Sequence, residues 1–207
     1  MKLKRAGKRK NPAPPPGREF LMLADHPALD FMNTVVRING ELVDFLQTDD
    51  DVLRWLARAG WPVDKSAAKF YPDMLLEVGL GLRAAIQGAI KDRKAGKPCH
   101  GIMNGFLYEA RNHLKLVPDD QEGLRLERQW DLKTPEEILG PLIVSAAELL
   151  VNGDFSMIKH CENAECVLWF YDRTRAHRRR WCSMATCGTR KKVAAFRQRE
   201  QSISEGR

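Results

Sequence analysis

The chain has 207 residues, enough for one ordinary domain plus a small module. At 43% hydrophobic and 29% charged it has a globular composition, and no apolar run is long enough to span a membrane as a helix. The net charge of +7 is unevenly spread: residues 1–18 and 158–207 each carry +7 and the stretch between them carries −7, so the ends suit a polyanion and the middle does not.

The N-terminus, MKLKRAGKRKNPAPPPGR, is basic and proline-rich without the apolar stretch of a secretory signal. Residues 1–18 are expected to form a disordered basic arm, and the protein to be cytoplasmic. In that compartment, clustered cysteines more often serve metal or redox chemistry than disulfides.

Next, HPALDFMNTVVRI offers a helical apolar face through Leu29, Met32 and Val36, with Phe31, Val35 and Ile38 beside it. The segment TDDDVLRWLARAG predicts a helix capped by Thr48 or Asp49, striped by Val52, Leu53, Leu56 and Ala59, and ended by Gly60. A long helix is predicted from about Pro72 to Lys94, with Leu75, Leu76, Leu80, Ala84, Ile86 and Ile90 inward, and another over residues 100–112. LKLVP and LRLERQWDL then alternate around DDQEG, as a β-hairpin does. TPEEILGPLIVSAAELLVNG returns to helix, with Thr134 as cap and Pro135 at its first position. The fold class is therefore mainly α (α+β): a helical domain over residues 19–153 with one small hairpin, then a small four-cysteine module over 154–203.

That module holds Cys161, Cys166, Cys182 and Cys187, spaced C-x4-C-x15-C-x4-C. Two sulfur pairs separated by a loop can supply the four ligands of a tetrahedral ion, and four thiolates favour one structural Zn²⁺. A redox dithiol and unconnected thiols remain open on spacing alone; the x4 pairs do not match the common iron–sulfur runs. The segment has few apolar residues, mainly Val167, Leu168, Trp169, Phe170, Tyr171 and Trp181, so a metal would staple a module too small to fold alone. Either His160 or His177 could replace a cysteine. Cys99 stands far from the group and reads as a small residue of the body.

The residues C-x4-C…F-x-D-R-T-R…RRWCSMATCGTRKKVAAFRQR resemble the CGNR-type zinc finger. HPALDFMNTVV, DDDVLRWLARAG and the helix at 141–151 resemble the ABATE domain that precedes it, and together the two likenesses cover roughly residues 20–200. The resemblance implies a transcription regulator, of a kind sometimes described as stress-induced, whose finger contacts DNA. This chain has Thr189 where the family motif has Asn. Thr can cap a helix beginning near Lys191, but it would supply only part of an amide contact.

Arg173, Arg175, His177, Arg178, Arg179 and Arg180 lie between the cysteine pairs; Arg190, Lys191, Lys192 and Arg197 follow on an expected helix with Val193 and Phe196 inward. Held around one metal, these cations are candidates for DNA phosphates. A solvated basic face, or docking on the acidic body of a second molecule, is the alternative. His26, Asp30 and Asn33, at spacings of four and three, are candidates for a small-molecule effector site or for capping and inter-element hydrogen bonds. No nucleophile–base motif, G-x-S-x-G or glycine-rich phosphate loop occurs, so no enzyme is expected. Expected partners are DNA, an effector and a second copy as a homodimer, with no membrane. The other reading is a small-molecule-binding or protein-interaction protein that uses the finger for docking.

Overall fold

The structure is a computed structural model that describes residues 11–61, 63, 70–119, 123–189 and 193. Among the described residues, six helices form the body: α1 (Pro27–Met32), α2 (Asp49–Arg58), α3 (Met74–Lys94), α4 (Gly101–Glu109), α5 (Pro135–Ile138) and α6 (Gly140–Asn152). Three two-stranded antiparallel sheets accompany them among the same residues: β1 (Val35–Ile38) with β2 (Glu41–Asp44), β3 (Asn112–Pro118) with β4 (Leu124–Trp130), and β5 (Ile158–His160) with β6 (Trp169–Tyr171). None of the described helices is long and apolar enough to cross a membrane.

Helix α3 is central, packing against α1, α2, α4, α5 and α6. Its inward stripe is Leu75, Leu76, Gly79, Leu82, Ile86, Ala89 and Ile90. Ala84, expected inward, faces solvent, and Leu80 is only half-buried. Phe31 of α1 meets Trp55 of α2 edge to face at 4.7 Å, and both are fully buried. Arg83 crosses from α3 to β2, where its two terminal nitrogens donate to both oxygens of Asp44 at 2.7 and 2.5 Å; one also donates to Thr34 Oγ1. This bidentate pairing offsets the desolvation of two largely buried charges.

The helix starts follow their sequence signals. Thr48 and Asp51 form a reciprocal capping box, as do Thr134 and Glu137. Two expected helices are corrected. The helix opening at Pro27 stops at Met32, and Val35–Ile38 is a strand paired with Glu41–Asp44 around Asn39-Gly40. Both turn residues have positive φ (51° and 87°), as a tight two-residue hairpin turn requires, and Val35, Val36 and Ile38 are β-branched. The expected helix over 134–153 is broken into α5 and α6 because Pro141 has no N–H to continue the ladder.

Of the expected N-terminal arm, residues 1–10 lie outside the described residues. Pro12 O accepts a hydrogen bond from Asp44 N at 3.1 Å, and Asn11 O one from Gln47 Nε2 at 3.3 Å, so the end of that stretch runs along β2.

Candidate metal centre

The finger is built on the hairpin of β5 and β6. Cys161 follows β5, and its N–H donates to Leu168 O at 2.9 Å, closing the knuckle that carries Cys166. Within that knuckle Asn163 O accepts from Cys166 N at 2.8 Å, and Asn163 Oδ1 accepts from Glu165 N. Cys182 precedes, and Cys187 lies within, a π-helical turn over Met184–Gly188. Glu162 N donates to Arg180 O at 3.0 Å, joining the two halves.

All four sulfurs lie within 4.8 Å of one another. Cys166 and Cys182 Sγ are 3.7 Å apart, and Cys182 and Cys187 Sγ 3.5 Å, well beyond a disulfide. Sulfurs held about 2.3 Å from a tetrahedral ion stand about 3.8 Å from one another, so the spacing fits one such ion. Two N–H groups also point at sulfur: Cys182 N at Cys161 Sγ (3.4 Å) and Asn163 Nδ2 at Cys187 Sγ (3.5 Å). Such donors suit thiolate ligands.

The thiols differ in acidity. The hydrogen bond from Cys182 lowers Cys166 to about 5; the same bond, then burial and the neighbouring thiolates, pushes Cys182 far up, and burial raises Cys161. Four thiolates this close repel one another, and a dication in their midst removes that penalty. His160 and His177 stand outside the sulfur cluster. His160 is exposed with Nδ1 3.0 Å from Cys161 O, and His177 is exposed at a φ of +50°.

Asp172 organises the loop between the cysteine pairs, and sequence reasoning overlooked it. The only acid between Cys166 and Cys182, it is almost fully buried. It accepts from Lys159 Nζ (2.7 Å), Thr174 N (3.1 Å), Thr174 Oγ1 (2.6 Å) and Arg179 N (2.9 Å). Burial alone would raise its carboxyl; Lys159, Thr174 and the two backbone N–H groups outweigh that and hold it far below the usual range. A lone acid amid arginines was the signal available in the sequence.

The expected phosphate contacts divide into two groups. Arg179 is turned inward: it pairs with Asp25, donates to the backbone oxygens of Leu23, Trp181 and Cys182, and lies 4.3 Å over the Phe170 ring. Arg180 pairs with Glu162 at 2.6 Å. Arg173 is exposed over Tyr171, and exposed Arg175 and Arg178 have no ion-pair partner among the described residues. Arg178 borders an open groove of about 580 Å³, lined also by Met22, Asp25, Trp181, Ser183 and Met184. Arg190, Lys191, Lys192 and Arg197, the expected helix from Lys191 and Phe196 lie outside the described residues. Val193 is exposed rather than inward. Thr189 has helical backbone angles and its hydroxyl donates back to Met184 O at 3.0 Å, so it ends the π-turn; the helix start it was expected to cap lies outside the described residues.

The finger's apolar residues join the core of the body. Leu168 and Phe170 are buried; Val167, Trp169, Tyr171 and Trp181 are half-buried. Residues 23–24 are held from both sides. Asp30 Oδ1 accepts from Leu23 N and Ala24 N, while Leu23 O accepts from Arg179 and Ala24 O from Tyr171 N. Burial raises the Asp30 carboxyl to about 6, against the pull of those two N–H groups. His26 Nδ1 accepts from Ala28 N at the start of α1, and burial, with Arg173 nearby, lowers it to about 4. Asn33 bonds to the backbone of Trp169. Capping and inter-element bonding thus engage all three residues read as effector-site candidates.

Residues 157–200 match the family model of the CGNR zinc finger, and residues 25–153 that of ABATE, described as "Putative stress-induced transcription regulator". No curated protein matches the chain. With a helical body in the ABATE region and four clustered sulfurs in the finger region, the chain belongs to the ABATE family and ends in a CGNR zinc finger.

Proposed function

We propose that this protein is a cytoplasmic DNA-binding regulator of transcription, with one structural Zn²⁺ on Cys161, Cys166, Cys182 and Cys187 and no catalytic activity of its own. Four sulfur donors at tetrahedral spacing, three of them buried, favour zinc in a structural role over a catalytic site with an open position.

The observation that carries the DNA reading is the loop hung on Asp172. It keeps Arg173, Arg175 and Arg178 exposed, while Arg179 anchors it from within. Holding the loop backbone on Asp172 removes part of the ordering that phosphate binding would otherwise require, and each guanidinium can contact two oxygens. Three such contacts contribute about −2.7 to the slope of log K against log salt. Arg190, Lys191, Lys192 and Arg197 add to that charge by sequence, and the basic N-terminal residues extend it. The body carries the finger on a shared core, so a change in the body is transmitted through the 23–25 segment and Asn33.

The test is fluorescence anisotropy of labelled mixed-sequence duplex DNA with zinc-loaded protein and a Cys182→Ser variant. Salt-sensitive binding that vanishes in the variant supports the reading. No binding by the zinc-loaded protein at low salt overturns it.

A further inference from the structure

A small polar cavity of about 280 Å³ lies where the body meets the finger. Arg18 comes to it from the N-terminal segment, Arg37 and Asn39 from the β1–β2 hairpin, and Glu165 from the knuckle between Cys161 and Cys166. Arg18 and Arg37 are both exposed, and neither has an ion-pair partner among the described residues. Glu165 is exposed as well and pairs with neither of them.

Both arginines are held from the backbone. Arg18 N donates to Pro15 O at 3.3 Å, closing a turn with Pro16 and Gly17 at its centre. Gly17 has a φ of 78°, as the third position of a type II turn requires. Beyond the turn, Glu19 pairs with Arg58 at 3.0 Å, and Phe20 is buried with its ring 5.8 Å from that of Phe45. Arg37 stands on β1 opposite Leu42, and its Nη1 donates to Gly40 O at 2.7 Å. That bond steadies the guanidinium and leaves its remaining donors without an acceptor among the described residues.

The chemistry of the cavity selects its ligand. Two guanidinium groups lining one small cavity repel each other until an anion stands between them, and each can give two hydrogen bonds to phosphate oxygens. Pockets for whole small molecules are mostly apolar and run from about 300 to 1,000 Å³. This one is smaller and polar, so it suits one anionic group of a larger ligand. The chain leads from Arg18 straight to Met22, which lines the groove that Arg178 borders, a reach of at most about 14 Å even when extended. The major groove of a duplex is about 12 Å wide, so phosphates at its two edges can meet both places.

We infer that the cavity is a subsite for one phosphate of the DNA backbone, gripped by Arg18 and Arg37 while the Asp172 loop meets others. The body then touches DNA itself instead of only carrying the finger. This rests on the DNA-binding reading and adds a contact outside the finger.

Anisotropy titrations of labelled mixed-sequence duplex at several salt concentrations test it, with zinc-loaded wild type and an Arg18→Gln, Arg37→Gln double variant. The variant is expected to bind about tenfold more weakly, with a log K against log salt slope shallower by about 0.9, the share of one phosphate. Arg18→Gln alone should weaken binding about threefold, and it carries the test if the double variant is unstable, since the Arg18 side chain makes no hydrogen bond among the described residues. Arg128→Gln, on the β3–β4 hairpin and not in the cavity lining, removes the same charge and should leave binding unchanged. Calorimetric titration with inorganic phosphate should show no binding tighter than millimolar. An unchanged slope in the double variant, while the wild type binds duplex, overturns the subsite and leaves the regulatory reading standing. So does an Arg128→Gln that weakens binding as much as Arg18→Gln, or submillimolar binding of inorganic phosphate, which would make the cavity a small-anion site. No duplex binding by the wild type overturns both.

Discussion

Asn33 and Trp169, 136 residues apart in the chain, exchange two hydrogen bonds: Asn33 Nδ2 donates to Trp169 O at 2.8 Å, and Trp169 N donates to Asn33 Oδ1 at 2.9 Å. The side-chain amide thus supplies what a neighbouring strand would give the free edge of β6 and ties body to finger. Asn33→Ala leaves both backbone groups unpaired in a largely buried place, at a cost of about 2 kcal/mol. Urea unfolding of the zinc-loaded protein measures it. Unchanged stability would mean that the finger is anchored elsewhere.

Gly140 fixes how the β3–β4 hairpin meets the helices. A Cβ there would stand 2.1 Å from the Trp130 ring, far inside contact distance. Gly140→Ala must displace the indole, and a loss of about 3 kcal/mol is expected. Thermal unfolding, with Trp fluorescence reporting the ring's surroundings, checks it; an unchanged midpoint would contradict the packing.

Asp30 makes stability depend on pH. Its carboxyl lies at about 6 in the folded protein, against 3.8 as the ordinary value, because burial disfavours the charge. With the folded value raised, the contribution is fully present below the ordinary value and is lost as pH rises through about 6. Asp30→Asn keeps an oxygen for Leu23 N and Ala24 N and cannot ionise. The variant should gain on the wild type by on the order of 2 kcal/mol between pH 4.5 and 7.5. Taking the difference between the two proteins cancels any protonation of the metal ligands they share. A pH-independent difference would contradict this account.

Much of this was legible in the sequence, and the losses have local causes. The capping boxes at Thr48 and Thr134 and the β3–β4 alternation each state their element in a few neighbouring residues. The β1–β2 hairpin was missed because Leu29, Met32 and Val36 continue a helical period, while Asn39-Gly40, the decisive turn signal, falls after it. The grouping of the four cysteines was readable from C-x4-C-x15-C-x4-C, and the structure brings their sulfurs together, which spacing alone left open. Arg179 was not: sequence gives it the same character as Arg178, and only the nearness of Asp25 and Leu23 O turns it inward. Asn33 likewise has a role only once Trp169 is beside it.

Metal uptake should release protons. Cys161 and Cys182 have raised values, so both are thiols near neutral pH in the metal-free protein and must ionise to become ligands. Calorimetric zinc titration in buffers of different ionisation enthalpy should show release of at least those two protons per ion, with one ion per chain. Uptake without proton release would rule out thiolate ligation by this pair.

Whether the exposed arginines of the Asp172 loop meet phosphates decides the proposed function. The most direct measurement is the salt dependence of duplex binding by the zinc-loaded wild type and by an Arg175→Gln, Arg178→Gln double variant. Both side chains are exposed, so the variant should unfold like the wild type while its log K against log salt slope becomes shallower by about 1.8. A slope equal to that of the wild type would show that the loop held by Asp172 does not meet the phosphates, and would contradict the central claim.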